Sequence, residues 1–118
     1  MAYVDGFLVP VPKRKLDAYR RMARKAGKVW KAHGALDFKE CVADDVKRGR
    51  WTSFPRAVKL KPGETVFFSY IVYKSRRDRD RVNAKVMKDE RIAGMHIKDM
   101  PFDAKRMIYG GFRVVVDL

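Results

Sequence analysis

A chain of 118 residues, 47% of them hydrophobic, fits one domain over residues 1–118 and argues against disorder. Twenty-eight Lys and Arg against fourteen Asp and Glu give a net charge of +14, which favours polyanions as partners but says nothing of fold. One cysteine excludes an intrachain disulfide, and no apolar run approaches the roughly 18 residues that cross a bilayer, so the expectation is a soluble cytoplasmic protein with no membrane partner.

The first segment, Tyr3 to Val9, is rich in β-branched and aromatic residues and reads as a strand. Pro10 and Pro12 are expected to end it, because proline donates nothing to a ladder. From Lys13 the period changes. Leu16, Tyr19, Ala23, Ala26, Trp30 and His33 recur at spacings of three and four, one face of a helix that Gly34 stops. "ALDFKECV" alternates, with Leu36, Phe38, Glu40 and Val42 on one face of a second strand. Residues 43–62 keep no period and are punctuated by Gly49, Pro55 and Pro62, with an extended piece expected near Arg56 to Leu60.

"ETVFFSYIVY" is apolar on both faces, so it should be a central strand. Ser75 followed by Asp78 resembles a capping box and opens a helix to about Lys88, with Val82, Val86 and Met87 as its buried stripe. Residues 89–103 read as loop, and Arg106 to Val116 as the last strand. The order βαββαβ is that of an α+β, ferredoxin-like antiparallel sheet with two helices on one face. Gly110-Gly111 interrupts the last strand. A phosphate loop would need a helix after it, and here "FRVVVDL" follows. The pair is therefore read as a bulge or a place of close approach.

Four stretches, "YVDGFLVPVP", "ECVADDV", "RVNAKVMKDER" and above all "MPFDAKRMIYGGF", resemble the YbaA-like family of small bacterial proteins. The resemblance runs collinearly through nearly the whole chain. It implies a dimeric α+β barrel, in which two ferredoxin-like sheets face each other, and it implies no activity.

The candidate site residues come from the strands. Asp5 lies between Tyr3 and Phe7, and Glu40 between Phe38 and Val42, so each acid interrupts an apolar face. An unpaired buried carboxylate is costly, which makes Arg56 and Arg106 expected partners and Ser69 a neighbour. Together the five outline a polar pocket for an unknown small molecule at the sheet or dimer interface, with Asp5 or Glu40 as proton acceptor. A structural ion pair is the competing and favoured reading. His33, His96 and Cys41 lack metal-ligand spacing, so no metal is expected; Cys41 reads as a buried thiol. No dinucleotide, zincin or nucleophile-elbow motif is present, and no cofactor is expected.

Two partners are expected besides a small molecule. A sheet covered on one side should leave Tyr3, Phe7, Leu36, Phe38 or their neighbours exposed and drive homodimerisation. The helices should also form one basic layer. Nine Lys and Arg fall between Lys13 and Lys31 against the single acid Asp17, and Arg20, Arg21, Arg24 and Lys28 are its core. Such a layer suits weak, non-specific nucleic-acid binding. Dimeric α+β barrels also host cofactor-free monooxygenases and isomerases, an analogy of fold alone that leaves open whether this chain is an enzyme.

Overall fold

The computed structural model describes residues 1–118. Strand β1 (Tyr3–Pro12) is followed by α1 (Leu16–Ala32), β2 (Asp37–Val42), the short α2 (Phe54–Ala57), β3 (Glu64–Tyr73), α3 (Arg76–Lys88), the single turn α4 (Glu90–Ala93) and β4 (Ile108–Arg113). The sheet order is β2-β3-β1-β4, every pair antiparallel. This is the ferredoxin-like arrangement, with "ETVFFSYIVY" central as its composition requires.

Register fixes the faces. β1 and β3 pair from Tyr3↔Tyr73 to Pro12↔Glu64 without a break. Because side chains alternate, Tyr3, Asp5, Phe7, Val9 and Val11 share one face with Phe67, Ser69, Ile71 and Tyr73. Phe38 and Glu40 join them from β2, opposite Ile71 and Ser69. The helices lie on this face: Val29, Val82 and Val86 pack with Ile71 and Tyr73, while Tyr19 and Ala23 pack with Val9, Val11 and Phe67. Asn83 ties the layers, since its Oδ1 accepts from Trp30 Nε1 at 3.0 Å and from the Tyr73 hydroxyl at 3.2 Å.

The uncovered face is therefore not the one expected. Tyr3, Phe7 and Phe38 lie against the helices, and the open face carries Val4, Leu8, Phe68, Tyr70, Val72, Ile108 and Phe112 instead. Alternation alone says which residues travel together but not which set the helices choose.

Local expectations failed where hydrogen-bond direction or a cap intervened. β1 continues through Pro10 and Pro12. The Lys13 N–H points to Gly63 O of β3's side at 2.8 Å, so even-numbered residues of β1 point the other way, toward β4. β4 pairs only as far as Leu8↔Ile108, and the missing proline N–H groups fall beyond it. The extended piece near Arg56 is a helical turn, α2, because Ser53 Oγ accepts from Arg56 N and Pro55 suits a helix start. Ser75 caps α3 by accepting from Asp78 N at 3.0 Å, as its spacing predicts. Met87 is exposed, not part of the buried stripe, and so is Cys41. The 89–103 loop contains α4, capped by Asp89, and a 3-10 turn at Ile97–Asp99. β4 stops at Arg113, short of the three valines that follow.

The glycine pair forms no bulge. Gly110 faces Gly6 and Gly111 faces Asp5 in unbroken register. A Cβ on Gly111 would lie 2.7 Å from Tyr3 Cε2, and Cβ atoms on Gly6 and Gly110 would each meet the Phe112 ring at 3.7 Å. The Tyr3 ring takes the space that a side chain at Gly111 would need, whereas at Gly6 and Gly110 a Cβ would make only ordinary contact with Phe112.

Gly27 performs the same service for α1, where a Cβ would sit 2.7 Å from the Phe38 ring. Replacing glycine in a helix gains about 1 kcal/mol of propensity, while overpacking costs about 1–3 kcal/mol. Gly27→Ala is therefore expected to lower the urea midpoint, against the direction propensity alone gives.

Candidate functional site

Between the helices and the sheet lies a cavity of about 750 Å³. Its floor is Asp5, Phe7, Phe38, Glu40, Ser69 and Ile71; α1 supplies Met22, Ala26 and Trp30, α3 supplies Arg79, Asn83 and Met87, and the following loop adds Ile92, Met95 and Met100. Methionine is unbranched and adapts to different shapes, which suits a wall that accommodates a guest.

Two polar groups interrupt this lining. The first is an ion pair: Arg79 Nη1 donates to Asp5 Oδ1 at 2.9 Å, and the guanidinium lies 4.9 Å from the Tyr3 ring centroid. Ser75 starts α3, so Arg79 falls one turn in, above the middle of β1. Burial works against the Arg79 charge, but Asp5 and Asp80 outweigh it and hold the group protonated. The second is a neutralising cluster around Glu40. Tyr19 donates its hydroxyl to Glu40 Oε1 at 2.9 Å, and Ser69 Oγ donates to the same oxygen. Burial pushes the Glu40 carboxyl above its ordinary 4.5, although both hydrogen bonds pull the other way. Burial, with Glu40 beside it, also pushes the Tyr19 hydroxyl up, so it remains a donor.

Asp5, Glu40 and Ser69 thus share one cavity, on the helix side of the sheet. Arg56 and Arg106 do not reach it. Arg56 binds the carbonyls of Arg48 and Gly49 and fastens its own loop. Arg106 clasps Glu64 through two bonds of 2.8 and 2.6 Å, donates to Asp103, and reaches Lys59 O at 3.1 Å. Their expected role as partners of Asp5 and Glu40 passes to Arg79 and Tyr19. Both were visible in the sequence, Arg79 as one cation among many and Tyr19 as a core residue. Only the strand register puts them over the acids.

A second concavity, about 820 Å³, runs between α1 and the edge strand β2. Arg20, Arg21, Arg24 and Lys28 line it, with Lys31 and Lys39. Arg20 pairs loosely with Asp17 at 3.6 Å, Lys39 bonds Asp37, and Arg21, Arg24 and Lys28 form no salt bridge. The four cations named from sequence therefore lie along one groove.

Residues 2–104 match the family described as a protein of unknown function, DUF1428. The chain belongs to this family. It is also 51% identical over 117 residues to the uncharacterized protein YbaA of Escherichia coli K12 and to that of Shigella flexneri, with 99% of each chain covered. Among solved structures, it is similar to a dimeric ferredoxin-like protein from an uncultured marine organism. That match has a TM-score of 0.56 and covers all of both chains, at 12% identity. Such a likeness establishes the fold and leaves the chemistry to this chain's own residues. No helix is long and apolar enough to cross a membrane.

The two acids should answer differently to amide replacement. Asp5→Asn removes the charge that offsets buried Arg79, and a loss of about 1–3 kcal/mol in chemical denaturation is expected. Glu40→Gln keeps an acceptor for Tyr19 and Ser69 and should cost far less. Because Glu40 is raised in the folded state, its protonation favours folding. The wild type should lose stability, relative to Glu40→Gln, as pH rises from 4.5 through the higher folded value. Parallel stability curves for the two proteins across that window would show that Glu40 is not raised.

Proposed function

We propose that this protein is a cytoplasmic homodimer in which each protomer binds a small, mainly apolar molecule between its helices and its sheet. The observation that carries the reading is the cavity itself. Its volume falls inside the range of about 300–1,000 Å³ of small-molecule sites, and its wall combines apolar side chains with a few convergent polar groups. Asp5 is already committed to Arg79, whereas Glu40 Oε2 takes no hydrogen bond within the chain. Glu40 is therefore the group available to accept from, or donate to, a guest.

Dimerisation is supported by the open sheet face. Phe68, Ile108 and Phe112 are exposed there, with Phe54 packed edge-on against Phe68 at 6.0 Å. Contiguous apolar surface of this kind marks an interface. Two such faces packed together would form a barrel and leave the helix-side cavities free. The marine neighbour is itself described as dimeric.

A neutral fluorescent probe, N-phenyl-1-naphthylamine, should bind saturably, and Ala26→Trp should abolish the signal with far-UV circular dichroism unchanged. Absence of saturable binding by the wild type sinks the ligand reading. Light scattering at micromolar concentration should give twice the 13.7 kDa chain mass, falling to one chain mass in Phe68→Lys/Phe112→Lys.

A second reading rests on the unpaired cations of α1. A groove of positive charge whose aromatic residues Tyr19 and Phe67 are buried in the core, and so offer no face for stacking bases, suits phosphate contact without sequence preference. Affinity for DNA or RNA should be about micromolar or weaker at physiological salt and should fall steeply as salt rises. Reversing Arg20, Arg21, Arg24 and Lys28 to glutamate should remove it, and a filter-binding series in rising salt would measure this. Tight, salt-insensitive binding of one RNA would contradict the non-specific form of this reading.

A further inference from the structure

The apolar cavity and the basic groove are not independent features. Tyr19, Ala23, Phe38, Lys39 and Glu40 line both of them. On one side of this shared wall the surroundings are methionine, tryptophan and isoleucine. On the other side are Arg24 and Lys28, one helical turn apart and without carboxylate partners. The two are separated by this one layer of side chains, and the Tyr19–Glu40 hydrogen bond lies within it.

We propose that the ligand is an amphipathic carboxylate, its apolar body in the cavity and its anionic head at the Tyr19–Glu40 wall, facing Arg24 and Lys28. The inference rests on the ligand-binding reading of the cavity and adds the chemical class of what binds. Charge complementarity selects the head. A cation there would meet Arg24 and Lys28, and a neutral molecule would leave both unused. Tyr19 stays protonated and can share its hydrogen bond with the head. Glu40, raised by burial, supplies a second donor whenever it is protonated, so an acid at this wall need not be repelled by it.

The cavity volume admits an aliphatic chain or a substituted aromatic ring, so a plain medium-length acid serves as probe. Isothermal titration would compare dodecanoate, dodecanol and dodecyltrimethylammonium, each kept below its micelle-forming concentration. Dodecanoate is expected to bind tightest and the cation weakest. Arg24→Glu/Lys28→Glu should weaken dodecanoate by about tenfold or more and leave dodecanol unchanged, since two reversed charges act on the head alone. Ala26→Trp should abolish binding of both. Equal affinities for dodecanoate and dodecanol would overturn the inference while leaving a ligand cavity standing. Failure of all three probes would bring down the cavity reading with it. Unchanged dodecanoate binding in the double charge reversal would also overturn it, because the head would then lie elsewhere.

Discussion

The pairing of β1 with β3 is the constraint from which the rest of the molecule follows. Ten successive pairs, from Tyr3↔Tyr73 to Pro12↔Glu64, leave no slack in the centre of the sheet. A slip of one residue would set Asp5 opposite Tyr70 or Val72, so that the side-chain sets of one strand would exchange faces relative to the other. With the register held, β2 and β4 inherit their faces from their neighbours, and the helices cross a surface whose chemistry is already determined.

Asp5, Glu40 and Ser69 interrupt the apolar middle of that surface, and the two acids solve the problem of burial in different ways. Asp5 is given a cation from α3. Glu40 lies beside two neutral hydroxyls instead, and burial raises it toward its protonated form. The first arrangement fastens a helix to a strand. The second leaves one carboxyl oxygen without a partner beside an empty volume. A carboxyl that burial shifts toward its protonated form, beside a cavity, is the feature of this fold most suited to chemistry or recognition.

The charge of the protein also gains a shape from the fold. Read along the chain, the cations of α1 are a run on a solvated helix. In the structure, Arg20, Arg24 and Lys28 line a groove against the edge strand β2, where Gly27 lets α1 sit close upon Phe38. A bulkier residue at 27 would lift the helix and open the groove.

The four strands and two long helices in the order βαββαβ, and the capping of α3 by Ser75, were legible because each depends on neighbours a few residues apart, whereas the turns α2 and α4 and the ends of β1 and β4 were not. So was the need of Asp5 and Glu40 for partners, which follows from their apolar flanks. The partners themselves were not. Arg106 was named as a partner and Arg79 was not, and the engagement of Arg106 with Glu64 and Asp103 appears only when the chain before β4 is laid beside the start of β3. The prolines misled for a similar reason: whether Pro10 breaks a ladder depends on which side its nitrogen faces and on where the neighbouring strand stops.

Sequence by itself determined the periodicities, and with them the main elements and the division of each strand into two sets of side chains; its motifs carried the resemblance to the family. Which set lies under the helices, which arginine answers which acid, and that an apolar cavity and a cationic groove meet at Tyr19 were decided only by the tertiary structure. The physical reason is that period and capping are properties of adjacent residues. A face becomes buried, and a charge becomes paired, only against groups brought from elsewhere in the chain, 74 residues away in the case of Asp5 and Arg79.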